Sequence, residues 1–436
     1  MRLAGAKKQT LFLTGINAAV RALGLTMRVC MSRILGAEIM GIMELAQSVH
    51  MVAIAPLTSG LPVAISRLTA RADKPNKEKA LSAGLWLART ASVLLIPFLW
   101  LFSPLIARWM GDARVLPSLW FTAPCILILG YSAAYNGYCY GLERSDVPAI
   151  SELIEQLIRF SLTLFALHLM RHLTASWLAA VPVAATMIAE ILGLVYVLFR
   201  LFDARPERRP AASWRKAVFR LSAPSTLTRL LQTTIRSLTA ILIPLRLQAS
   251  GLPAAEATAR LGMLNGMVMP ILMLPGIFTS ALSMVMIPRM ARAEEKPSEL
   301  GRLLRLCLYS TLPVSAAFAA LVYFGSPFLA NTVYRQPELT ALFRHSAFQI
   351  MLFPLNHTIG STLSALGQQR RSLYASSITA AVTLVLTWLL AGEPSLRING
   401  IICAQYISQL LSICLGCIML IRWRYERRLI RGDRSA

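Results

Sequence analysis

Long apolar runs alternate along this chain with short basic ones. Reading for stretches of about 20 apolar residues, the length a helix needs to cross hydrocarbon, predicts twelve spans. They are centred at 9–34, 40–66, 80–102, 116–140, 149–170, 175–200, 217–245, 261–287, 303–325, 341–366, 372–391 and 398–421. The predicted fold class is therefore all-α integral membrane. Lys and Arg in the short runs are unevenly shared. The termini and alternate loops (67–79, 144, 200–220, 289–305, 370–371, 422–434) carry about 29 of them, against roughly 6 in the other loops, which predicts a multi-pass protein with both termini cytoplasmic. MRLAGAKKQ leads into an apolar run that contains arginines and lacks a small-residue cleavage site, so it reads as the start of a first membrane helix rather than a removable signal.

The pattern also repeats. SPLIA at 103–107 recurs as SPFLA at 326–330, SGLPVAISRLTARADK at 59–74 aligns with SALSMVMIPRMARAEE at 280–295, and GLERSDVPAIS at 141–151 aligns loosely with GQQRRSLYASS at 367–377. The offsets of 223, 221 and 226 describe one repeat with small loop drift. Six helices per copy is an even number, so both copies enter from the same side. Two parallel six-helix bundles around a central cleft are expected. The boundaries are an N-terminal bundle at 1–200, a basic cytoplasmic linker at 201–216, a C-terminal bundle at 217–422 and a basic cytoplasmic tail at 423–436.

Arginines inside the spans change this picture. One at a bilayer centre costs about 2.5–3.5 kcal/mol even on the insertion scale, so the first helix, with Arg21, Arg28 and Arg33, requires an account. LTGINAAVRALGLTMR (13–28) matches LSAPSTLTRLLQTTIR (221–236), which makes Arg229 and Arg236 the repeat partners of Arg21 and Arg28. Seven residues is two turns, so each pair shares one helix face at roughly 10 Å separation along the axis. Such groups are expected to face water or a partner rather than lipid. Glu38, Glu44, Glu152, Glu155 and Glu190 are the acids available to neutralise them, and basic residues are in surplus. Glu155 and Arg159, at i and i+4 with the acid first, are expected to pair with each other. A cluster of unmatched guanidinium groups suits an anion of delocalised charge such as a diphosphate.

Composition narrows the classes. The chain is 56% hydrophobic and 15% charged, outside the soluble range. Its net charge of +24 lies mostly between apolar runs, as membrane topology requires, so no nucleic acid partner is expected. The seven cysteines lie in apolar segments and read as packing residues. Cys414 and Cys417 form a CxxC with no second pair and no nearby His, and no metal site or cofactor is assigned. There is no DxD; His50, His168, His172, His345 and His357 are scattered singly. Gly60 and Pro62 in the second span, with Pro270 and Pro275 in the eighth, are placed to bend their helices, for movement or for packing alone.

NGYCYGLERSDVPAISELIEQLIRF (136–160) resembles the fourth-to-fifth helix signature of stage V sporulation protein B-like transporters, in the multidrug/oligosaccharidyl-lipid/polysaccharide exporter superfamily. The resemblance extends to SGLPVAISRL (59–68), ILIPLRLQASG (241–251) and GMVMPILMLPGIFTSALSMVMIPRM (266–290), nearly the whole chain. Lipid II flippases of the same superfamily have a similar first helix, matched here by Arg21 to Gly24 and Arg33 to Ala37. The resemblance implies a MATE-like fold in the bacterial cytoplasmic membrane and a diphosphate-binding role for Arg21 and Arg28; for Arg229 and Arg236 the repeat alone carries it. The chain departs from the family at Asn136 and Tyr140, where Arg and Gln are usual, and in lacking an acid near Arg236 and Ser237. It also shows twelve spans where many relatives have fourteen.

The implied function is a flippase, not an enzyme. It would carry an undecaprenyl-diphosphate-linked saccharide across the membrane by alternating access, in spore or envelope biogenesis. Partners would be that lipid-linked saccharide and anionic membrane lipids, with Na+ or H+ open as a coupling ion. A cation-coupled multidrug antiporter of the same fold wants acids in its cavity, which an arginine surplus opposes. A membrane enzyme would need an acid pair, metal cluster or activated nucleophile. A non-transporting assembly scaffold is the remaining alternative.

Overall fold

The computed structural model describes residues 2–73, 76–207, 209–293 and 297–432. The end of the basic tail (433–436) and Lys74, Glu294 and Glu295 of the second repeat match lie outside them. Helix accounts for nearly all of these residues, and no strand occurs among them. The helices are α1 (Arg2–Thr58), α2 (Gly60–Arg71), α3 (Lys77–Trp109), α4 (Leu116–Gly141), α5 (Asp146–Leu169), α6 (Ala175–Arg200), α7 (Ala212–Ala249) and α8 (Ala254–Leu261). Then follow α9 (Met269–Leu272), α10 (Pro275–Arg292), α11 (Pro297–Phe328), α12 (Leu339–Ser346), α13 (Gln349–Ala365), α14 (Gln369–Ala391) and α15 (Ile398–Gly432). In lipid each backbone N–H must find its carbonyl within the same segment, which the helix supplies.

Among the described residues, seven helical stretches are long and apolar enough to cross a membrane, and the pair Ala254–Leu272 and Pro275–Arg292, meeting at 49°, satisfies the test together. The protein is thus a multi-pass membrane protein. The difference from the twelve expected spans has a physical reason. The 60-residue stretch Phe12–Arg71 holds two spans, and α5 carries too many charges with Glu152, Glu155 and Arg159. Arg229 and Arg236 lower the mean hydropathy of α7, and the expected span 341–366 is divided between α12 and the 17-residue α13.

Gly36 divides α1 with φ 76 and ψ 176, a conformation essentially confined to glycine. Residues 28 and 44 would lie about 24 Å apart along a continuous helix, yet their side chains meet at 2.7 Å. The chain therefore folds back at Gly36.

Two compact units result: Met1–Leu245 with Ala254–Gly262, and Arg246–Pro253 with Met263–Ala436. This division differs from the expected boundaries, since the first unit takes in the linker and most of α7. The linker folds back onto α3: the Glu207 amide donates to buried Ser82 Oγ at 2.7 Å, and Leu201 joins the core that α3, α4 and α6 share. The Arg215 guanidinium lies 4.5 Å over the Trp86 ring. Next, α7 runs antiparallel to the second half of α1, with Thr226 Oγ1 donating to the Pro56 carbonyl at 3.4 Å and Ser237 Oγ to that of Ser48 at 2.7 Å.

Small residues let these helices approach, as in membrane packing generally. A Cβ on Gly137 of α4 would stand 2.6 Å from the Pro62 carbonyl oxygen, and one on Gly41 would run into the Thr258 backbone of α8. Three cysteines, Cys125, Cys139 and Cys307, are buried in packing roles. Cys403, Cys414 and Cys417 are exposed on α15, so the packing expectation fails there, because that face of α15 is not covered by its own chain.

The second unit centres on α10, α11, α13 and α15, where Met286, Met290, Cys307, Leu366 and Trp423 pack together. Buried Tyr334 donates its hydroxyl to the Met267 carbonyl at 3.0 Å. Its polar interior is a chain of amides. Gln349 Nε2 donates to Gln405 Oε1 at 3.0 Å, Gln409 Nε2 to Gln349 Oε1 at 3.1 Å, and Asn356 Nδ2 to the Gln409 carbonyl at 3.3 Å.

Candidate functional site

All four expected diphosphate ligands lie in the first unit, because α7 belongs to it as far as Leu245. The sequence division at 217 would instead assign Arg229 and Arg236 to the second bundle. Arg21 on α1 and Arg229 and Arg236 on α7 are exposed on the protein surface, and none has a carboxylate partner among the described residues. Arg28 differs. It is half-buried, and its Nη1 donates to Glu44 Oε1 at 2.7 Å across the fold made by Gly36.

Arg28 and Glu44 line a cavity of about 330 Å³ that also holds His50, Arg159 and Glu190. Five methionines, Met27, Met31, Met40, Met43 and Met51, contribute to its wall, a soft lining that adapts to irregular occupants. A second cavity of about 350 Å³ adjoins it, and Leu129, Arg159 and Glu190 line both. Asn136, Tyr140, Glu152, Glu155 and Gln156 line the second. The two departures from the family pattern, Asn136 and Tyr140, thus both face this space.

The expected Glu155–Arg159 pair does not form. Arg159 Nη2 reaches across to Glu190 Oε1 on α6 at 3.1 Å, and its Nη1 donates to Gln156 Oε1 at 3.0 Å. Glu155 Oε1 instead accepts from Ser151 Oγ at 2.7 Å, and the same hydroxyl lies 3.1 Å from the Gly193 carbonyl. The i, i+4 rule describes helix surfaces. Here α6 packs so closely that the Glu155 carboxyl occupies the place a Gly193 side chain would take.

Within these cavities acids outnumber arginines. Two arginines, Arg28 and Arg159, share these cavities with four acids, Glu44, Glu152, Glu155 and Glu190. The surplus belongs to the exposed helix faces and loops.

The helix-bend residues stand at breaks. Gly60 opens α2 after the interruption at Ser59, and a Cβ there would strike the Ser222 carbonyl of α7. Pro62 follows within the first turn. Pro270 lies in the four-residue α9, and Pro275 is the first residue of α10.

One polar cluster escaped the sequence reading. Asp112 caps the turn before α4, accepting from the Arg114 amide at 3.0 Å and from its guanidinium at 2.9 and 2.8 Å, and Thr258 of α8 donates to it at 3.2 Å. Arg114 also binds Glu38. Asp112 two residues before Arg114 was a legible turn signal; Glu38 and Thr258, 76 and 146 positions away in sequence, were not.

Comparison with known proteins agrees with this architecture. The family model described as "Polysaccharide biosynthesis protein" matches residues 6–294. The chain is 25% identical over 414 residues to stage V sporulation protein B of Bacillus subtilis (strain 168), covering 90% of this chain and 79% of that protein. Among solved structures, it superposes on the lipid II flippase MurJ in an inward closed conformation with TM-score 0.76 at 14% identity, covering 94% of this chain and 87% of that one. It superposes on an inward-facing multidrug resistance MATE family transporter of the MOP superfamily with TM-score 0.74 at 15% identity, covering 93% and 95%. At such identities the structural likeness establishes the fold.

Proposed function

Because the chain belongs to the polysaccharide biosynthesis protein family, we propose that it is a flippase for an undecaprenyl-diphosphate-linked saccharide. It would work by alternating access, with twelve spans in two repeats, in a bacterial cytoplasmic membrane with both termini cytoplasmic. The observation that carries the reading is the set of three exposed arginines without carboxylates, Arg21, Arg229 and Arg236, on two helices of one unit. Planar guanidinium forks are suited to the delocalised charge of a diphosphate.

Arg28 takes a conditional part. Glu44 occupies its fork at rest, and a diphosphate of greater charge displaces that carboxylate. Exchange of one anion for another avoids ever leaving the guanidinium bare, which is the costly state in a low-dielectric setting. Gly60, Pro62, Pro270 and Pro275, at the ends of helical segments, would absorb the backbone change as the transporter alternates. Anionic lipids would be held by the basic loops. With the interior negative, outward passage of an anion gains about 2.3 kcal/mol per charge per 100 mV.

Extraction of co-purifying lipid followed by mass spectrometry tests the cargo. Undecaprenyl-diphosphate species are expected, and their number per protein falls in Arg28→Ala and Arg236→Ala. Headgroup accessibility in vesicles, measured for the same variants, separates transport from scaffolding: unchanged accessibility with lost partner binding would overturn the flippase reading. The acid-rich, methionine-lined cavity supports a second reading, a cation-coupled multidrug antiporter. Bound organic cations with no polyprenyl lipid would favour it.

A further inference from the structure

The interior of the first unit holds more acid than it can leave ionised. Glu155 is buried on α5 and Glu190 on α6, with exposures of 8% each. The Glu155 carboxyl fills the notch at Gly193, one turn beyond Glu190 on α6, and both carboxyl groups line the second cavity beside Arg159. Arg159 is the cation in direct contact, through Glu190. Two adjacent carboxylates facing one guanidinium leave an unmatched buried charge, and the inexpensive remedy is a proton held between them.

Other charged groups do not alter that balance. On α5, Glu152 is exposed at the edge of the second cavity and adds negative charge. On α1, Arg28 is occupied by Glu44, and His50 is buried. On α4, the facing titratable groups are the Cys125 thiol and the Tyr140 phenol, neither of which supplies positive charge.

The pair borders both cavities, Glu190 lining each and Glu155 the second. Four buried polar atoms on the cavity walls have no protein partner: His50 Nδ1 toward the first cavity, Asn136 Oδ1 and Gln156 Nε2 toward the second, and Arg159 Nε where the two meet. His50 and Gln156 are themselves only 7% and 5% exposed. Buried orphans of this kind are normally satisfied by ordered water.

We infer that the Glu155–Glu190 pair is a proton-binding site, loaded and unloaded through the two cavities that it borders. A metal cation is the poorer fit. Ser151 and Arg159 already donate to the two carboxyls, which reduces the free lone pairs, and a guanidinium 3.1 Å from Glu190 repels a cation that needs a shell of oxygens. Taking up a second proton would neutralise Glu190 and release Arg159, so proton occupancy sets which partner Arg159 holds. The site does not depend on the cargo being a lipid-linked saccharide.

Difference infrared spectroscopy of the purified full-length protein in lipid nanodiscs, titrated from mildly acid to mildly alkaline pH, tests this without any transport assay. A protonated-carboxyl C=O band is expected in the unmodified protein. It should be lost in both Glu155→Gln and Glu190→Gln, and retained in Glu152→Gln. Ser151→Ala should shift its midpoint to higher pH, because the carboxylate loses a donor. A band that survives both single substitutions overturns the proposal. So does saturable 22Na+ binding at fixed pH that Glu190→Gln abolishes. Circular dichroism confirms that each variant is folded; should Glu190→Gln fail, Glu155→Gln and Ser151→Ala carry the decision.

Discussion

The two units solve the problem of interior polarity in opposite ways. The first unit buries charge: Arg28 with Glu44, Arg159 with Glu190, and Glu155 beside them. The second unit holds neutral amides, buried Gln349 with half-buried Gln405, Gln409 and Asn356, linked in a chain. Its Arg344 donates to Ser326 Oγ at 3.1 Å and lies 6.0 Å from the Tyr323 ring centre, with no carboxylate partner among the described residues. The two interiors therefore differ in the kind of side chain that fills them. A neutral amide chain fixes geometry and holds no titratable proton. Ionisable groups fix geometry and also respond to their surroundings.

Removing one member of a buried pair breaks this comparison most sharply. Glu190→Ala removes the carboxylate that Arg159 contacts and should cost up to about 3–5 kcal/mol of stability, less as Glu155 ionises to take its place, read from chemical unfolding of the purified protein in detergent. Arg159→Met combined with Glu190→Leu should recover most of that loss, since apolar residues replace an ion pair at little cost. No recovery would mean that the pair is needed for the fold itself.

Packing density provides the next contrast. Gly137→Ala in the first unit presses a methyl group against the Pro62 carbonyl and should cost about 1–3 kcal/mol. Gly360→Ala in the second unit meets nothing within 4 Å, so it should be neutral or gain up to about 1 kcal/mol from helix propensity. Equal effects in thermal unfolding would show that the units are equally tight. In the amide chain, Gln349→Leu leaves partners on Gln405 and Gln409 unmatched and should cost about 1–2 kcal/mol.

The smallest effect is expected at a surface pair beyond the membrane span. Arg371 Nη2 lies 2.6 Å from Glu426 Oε2 and Arg422 Nε lies 3.2 Å from Oε1, which together hold the Glu426 carboxyl below its usual range. A lowered folded-state pKa contributes stability that is present above the ordinary carboxylate value and is lost as pH falls through the lowered one. Glu426→Gln should therefore slightly flatten the acid limb of a melting-temperature profile. A changed alkaline limb would contradict the assignment.

Much of the fold could be read from the sequence because hydrocarbon imposes a single requirement on every span. The apolar runs follow from it, and the helix breaks at Gly60 and Pro275 were marked by their Gly and Pro residues. Charge partners were harder. The acids Glu44 and Glu190 could be named as neutralisers, but their assignment needed the fold-back at Gly36 and the approach of α6 to α5. The Glu155–Arg159 expectation failed because a local spacing rule took no account of a neighbouring helix that offered Arg159 another carboxylate. The linker misled in a similar way: its Pro and Arg content resembles a tether, yet Leu201 and the Glu207 amide dock on the α3 side of the first unit.

The backbone passes between the units three times within eighteen residues, after Leu245, Pro253 and Gly262. The repeat read from the sequence divides near the linker, whereas the compact body extends a further helix and a half. The repeat and the packing therefore use different cuts of the same polymer. Co-expressed fragments divided at the linker would strand α7 away from the partners that fold around it, while a nick after Gly262 would spare them.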